Sequence, residues 1–83
     1  MLKIKDKVNL DSLLELDLHF NKVEYPYGTR YERKSVNGVE VFIYSHNRII
    51  QVNFDGYTTY IKPNSLRSNL VYDLIDKGYV EEI

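Results

Sequence analysis

The sequence predicts one α+β domain over residues 1–83: an N-terminal helix, a four-stranded antiparallel meander, a C-terminal helix and room for a short terminal strand. Three observations lead there. A chain of 83 residues holds one modest core and no second domain. Its composition lacks alanine and leans on Leu, Val, Tyr and Ile, a set weighted toward strands and toward AT-rich codons. Finally, Asn37-Gly38 and Asp55-Gly56 each stand between apolar or aromatic residues, the strongest short-range signal for a β-hairpin.

The elements follow in order. Met1 to Val8 alternates Lys with apolar residues and reads as a lead segment. Asn9 is placed to cap a helix from about Leu10 to Leu16, with Asp11 favourable in its first turn and Leu10, Leu13, Leu14 and Leu18 as its buried stripe. Tyr25-Pro26-Tyr27-Gly28-Thr29-Arg30-Tyr31 reads as a rigidified contact loop. Strands are expected over 29–36, 39–44, 49–54 and 57–62, joined by the two Gly turns and by the polar connection Ser45-His46-Asn47-Arg48. Pro63-Asn64-Ser65 then opens a second helix in which Leu66, Leu70 and Leu74 recur every four residues beside Val71 and Ile75. Gly78 closes that helix as a left-handed cap, and Tyr79 to Ile83 can add the terminal strand.

Turn lengths fix a register, and register sorts side chains onto two faces. Val39, Val41, Ile43, Ile50, Val52, Phe54, Tyr57, Thr59 and Ile61 form the expected core face, under the second helix. The opposite face is expected to carry Tyr31, Arg33, Phe42, Tyr44, Tyr60 and Lys62, mixing aromatic rings with cations. Such rings stack on bases and such cations meet phosphate. They are also the types enriched at protein interfaces. Cover by the first helix and homodimer formation compete with both readings. Tyr25, Tyr27 and Arg30 of the loop join this candidate partner-binding site.

Other chemistry finds little footing. The chain has no cysteine, so a disulfide framework and a thiolate metal site are excluded, and a reduced compartment, the cytoplasm of a bacterial cell, is the expected location. His19 and His46 lack carboxylates at ligand spacing, so no metal and no cofactor is expected. No Ser-His arrangement, carboxylate pair or Gly-rich phosphate loop stands out, and the chain is read as non-enzymatic. A net charge of -1 gives no general pull toward nucleic acid, and the short apolar runs exclude a membrane span. Lys3, Lys5 and Lys7 make a basic end, and Asp73, Asp76, Glu81 and Glu82 an acidic one.

The segments Lys7-Val8-Asn9-Leu10-Asp11-Ser12-Leu13-Leu14-Glu15-Leu16 and Leu70-Val71-Tyr72-Asp73-Leu74-Ile75-Asp76-Lys77-Gly78-Tyr79-Val80-Glu81-Glu82-Ile83 together resemble small uncharacterised proteins of phages and prophages of low-GC Gram-positive bacteria. The resemblance implies a mobile-element origin and no activity. It raises the expectation of a binding module, an accessory protein that binds or inhibits a bacterial host or defence protein. The alternative is binding of single-stranded nucleic acid or a nucleotide on the aromatic and basic face.

Overall fold

The computed structural model describes residues 1–34 and 37–83. Its centre is five antiparallel strands in chain order: β2 (Asn21–Tyr25), β3 (Gly28–Lys34), β4 (Glu40–Tyr44), β5 (Ile50–Phe54) and β6 (Tyr57–Tyr60). A two-stranded sheet pairs the chain ends, β1 (Leu2–Ile4) with β7 (Val80–Glu82). The expected four-stranded meander is therefore corrected to five strands. The added strand is β2, where Pro26 and Tyr27 form a tight turn between the paired residues Tyr25 and Gly28. Residues 25–31 are a hairpin, not a loop, because Pro26 presets the backbone angle that the first central turn position needs.

The two helices are corrected as well. No N-terminal α-helix forms; Leu10–Leu14 is a 3-10 helix. Asn9 does cap it, its side chain accepting from the Asp11 amide at 3.0 Å. Only Leu10 and Leu13 are buried there, three apart, the spacing at which a 3-10 helix stacks its side chains. Glu15 then turns the backbone to extended angles, and Leu18 reaches the core from the turn that follows, its amide donating to the Glu15 carbonyl at 3.0 Å. At the other end Leu66–Val71 is also 3-10, and only Tyr72–Asp76 is α-helical, here α1. The physical reason is a long-range contact from β3. The Leu70 carbonyl, which a continuous α-helix would give to the Leu74 amide, accepts instead from Arg33 Nη2 at 2.7 Å. The Leu74 amide donates to Asp73 Oδ1 at 2.9 Å. Tyr72–Asp76 ends as the sequence suggests, with Gly78 at φ +76° and the Gly78 and Tyr79 amides closing onto Ile75 and Leu74.

Two of three expected registers hold. Asp55 and Gly56 both take positive φ, +50° and +80°, and join Phe54 to its partner Tyr57. Ile43 faces Ile50 and Val41 faces Val52, as the 45–48 connection implies. The third differs: Lys34 lies opposite Glu40, and Tyr31 opposite Ile43. The expected closing pair of Val36 and Val39 involves Val36, which falls outside the described residues. The shift is one residue, so it moves every β3 side chain to the other face. Tyr31 and Arg33 consequently join the core face, and Arg30 and Glu32 take their place opposite.

The core lies between this sheet and the layer made by β1, β7, α1 and the 3-10 segments. Ile4, Leu13, Leu18, Ile43, Ile50, Ile61, Val71 and Leu74 are fully buried in it. The expected Leu66, Leu70, Leu74 stripe is broken, since Leu66 is exposed and Val71 and Leu74 do the burying. The basic and acidic ends are not opposite poles either. Pairing of β1 with β7 sets Lys3 against Glu81, with Nζ and Oε1 3.8 Å apart. The Arg48 guanidinium fastens the lead segment by donating to the carbonyls of Lys5 and Val8 at 2.8 and 2.7 Å.

Candidate functional site

The face turned away from the core carries the candidate site, at its β2–β4 end. Strand alternation places Tyr25, Arg30, Glu32, Phe42 and Tyr44 on one surface, and the Pro26-Tyr27 turn folds Tyr27 back beside them. Tyr25 and Tyr27 stack, with ring centroids 5.1 Å apart. Tyr27 leans on Tyr44 at 6.1 Å, Tyr44 meets the edge of Phe42 at 5.7 Å, and His46 adds a fifth ring 5.4 Å from Tyr44.

Arg30 organises this cluster. Its guanidinium lies 4.7 Å from the Tyr25 ring centroid and 4.8 Å from that of Phe42, with Tyr44 further out at 5.8 Å. A cation over ring faces is attracted by their quadrupoles. Nε donates to Glu32 Oε2 at 2.7 Å, Nη2 to the Tyr25 hydroxyl at 2.8 Å, and Nη1 to the Tyr44 hydroxyl at 3.4 Å. Burial works against the charge, yet the bonds to Tyr44 and Glu32 hold the Arg30 pKa above the ordinary arginine value. Phe42 is buried beneath this lid although it lies outside the main core. The neighbouring rings partly desolvate the Tyr27 phenol and raise its pKa. The result is a packed, nearly neutral aromatic surface with polar tips.

The residues expected at the site divide into three groups. Tyr25, Tyr27, Arg30, Phe42 and Tyr44 come together. Tyr60 shares the same face but lies across the sheet opposite Gln51, and Lys62 follows it beyond the strand end. Tyr31 and Arg33 are removed from the site by the register shift. The Tyr31 hydroxyl donates to Asp11 Oδ1 at 2.6 Å, and burial raises its pKa. Arg33 forks onto Asp73 at 2.6 and 2.9 Å, also donates to the carbonyls of Leu18 and Leu70, and covers the Phe20 ring at 4.6 Å. Its work is to tie β3 to the C-terminal segment.

Sequence reasoning missed Glu32 and His46. Glu32 was within reach, because Arg30 and Glu32 are two apart on a strand and must share a face. Among the described residues, no group of three His, Asp or Glu side chains gathers to hold a metal ion. No described helix is long and apolar enough to cross a membrane. No protein-family model matches the chain, and no curated protein or solved structure matches it.

Proposed function

We propose that this chain is a non-enzymatic binding module whose contact surface is the cluster of Tyr25, Tyr27, Arg30, Phe42 and Tyr44, and that its partner is a protein. The observation that carries the reading is the internal pairing of Arg30 with Glu32 across a floor of rings. A cation neutralised in this way offers little to a phosphate backbone, whose recognition rests on unpaired charge. Pre-organised Tyr rings with hydroxyl tips suit a protein surface, where they bury area at low entropic cost. The likeness of the terminal segments to phage and prophage proteins puts a bacterial host or defence protein first among the partners to test.

The test is affinity capture from a Gram-positive host lysate with wild type, Tyr27→Ala, Tyr44→Ala and the distant exposed control Tyr72→Ala. A partner kept by wild type and the control and lost by the two cluster variants supports the reading. Equal recovery of every protein by all four sinks it. Salt-sensitive binding of single-stranded oligonucleotides, abolished by Tyr44→Ala, would return the site to nucleic acid.

A further inference from the structure

The two edges of the five-stranded sheet are built differently. β2 carries Lys22 and Glu24, charges that discourage an incoming strand. β6 is Tyr57-Thr58-Thr59-Tyr60, four residues of high strand propensity with no charge, proline or bulge among them. In a two-residue hairpin closed by Phe54 and Tyr57, Tyr57 and Thr59 direct their backbone groups to β5. Thr58 and Tyr60 therefore point theirs outward. Beside this open edge runs a groove lined by Thr59, Tyr60, Lys62, Ser65, Leu66 and Arg67. Leu66 is 90% exposed and Tyr57 78%. Neither Lys62 nor Arg67 has an ion pair among the described residues.

We infer that the β6 edge is a self-association surface, pairing antiparallel with β6 of a second copy about a two-fold axis. The symmetric register that uses both outward residues sets Thr58 of one copy opposite Tyr60 of the other, with Thr59 facing its twin on the axis. That register carries the Asp55-Gly56 turn of each copy to Lys62 of the other. The carboxylate of Asp55 thus meets the cationic rim of Lys62 and Arg67, twice. A partner that is this same chain satisfies the backbone edge, the apolar flank and the charge together. The resulting ten-stranded sheet keeps both aromatic clusters on one face.

The size of the contact places it among the weaker class of interfaces. Covering the exposed parts of Phe54 (48%), Tyr57 (78%), Tyr60 (46%) and Leu66 (90%), at about 150–250 Å² per ring, removes about 1,000 Å² from the two copies together. That falls at the low end of specific interfaces, and it fits a dimer that dissociates in the micromolar range.

Light scattering and sedimentation velocity across a dilution series test this on the full chain. The expected result is a dimer at several hundred micromolar protein that dissociates on dilution toward about 1 μM. Thr58→Pro removes an outward amide and no β5–β6 bond, so it should leave the circular dichroism unchanged and the protein monomeric at every concentration. Lys62→Glu combined with Arg67→Glu should weaken association at least tenfold by facing Asp55 with like charge. A wild type that stays monomeric throughout overturns the inference. So does a dimer indifferent to Thr58→Pro, and one abolished by Tyr27→Ala would instead use the aromatic cluster.

Discussion

Arg33 was grouped with the binding residues by its sequence context, and its structural role gives a sharp test. Arg33→Met keeps the aliphatic stem and removes the fork. Four hydrogen bonds disappear, two to Asp73 and two to the carbonyls of Leu18 and Leu70. The Arg33 side chain is 13% exposed but that of Asp73 is 38%, so the ionic part must be discounted for solvent screening. Crediting each bond with somewhat under 1 kcal/mol, and the stacking on Phe20 with a fraction more, gives a loss of about 3 kcal/mol. A domain of this size has roughly 4–12 kcal/mol in total. The loss should lower Tm by about 12–24 °C. Urea unfolding followed by circular dichroism measures it as a fall in midpoint at unchanged slope. Arg33→Lys should recover little, since a lysine cannot span the carboxylate and both carbonyls at once. The control Lys7→Met, at an exposed position, should stay within about 0.5 kcal/mol of wild type. A loss under about 1 kcal/mol for Arg33→Met would refute the claim that this fork holds β3 to the C-terminal segment.

Three other outcomes follow from particular contacts. Burial opposes ionisation of Asp73, but Arg33 holds its pKa below the ordinary carboxylate value. Its stabilising effect is thus present above the unfolded value near about 4 and is lost as pH falls through the lower folded value; unfolding free energy measured from pH 6 to 2 should fall less steeply for Asp73→Asn. Gly56→Ala places a Cβ at φ +80° in the hairpin turn, and thermal melts should show about 1 kcal/mol of destabilisation. Arg30→Met should retain most of the stability, because Glu32 at the site can turn to water, while binding of any captured partner weakens at least tenfold.

Parts of the fold were legible because some signals act over a few residues. Asp55-Gly56 and Gly78 adopt the left-handed angles expected of them, since few other residues take those angles without strain. The Ser45–Arg48 connection and the Asp55-Gly56 turn set two registers correctly, and with them the burial of Val41, Ile43, Ile50 and Val52. The β2 strand was harder to see. Lys22-Val23-Glu24-Tyr25 does alternate charged with apolar residues, but the run is short and its two apolar side chains are only half-buried, so its pairing depends on the Pro26-Tyr27 turn more than on its own apolar content.

The site was half legible for the same reason. Tyr25, Tyr27 and Arg30 were found as a local cluster, and Phe42 and Tyr44 through a correct β4 face. Tyr31 and Arg33 were misplaced because the β3–β4 connection is one residue out of step with a two-residue turn. In a strand, one residue of slip exchanges core for surface, so a small local error became a complete reversal of role.

By itself, the sequence determined the antiparallel pairing of β4, β5 and β6, the Asp55-Gly56 turn and the 45–48 connection, the cap at Asn9 and the lack of any thiol. These rest on single-residue stereochemistry and short-range alternation. The tertiary structure alone decided three things: that the chain ends pair as β1 and β7, that Arg33 interrupts the C-terminal helix by taking the Leu70 carbonyl, and that Arg30 rather than Arg33 covers the aromatic face. Each depends on contacts between residues far apart in the chain, which local propensity does not encode.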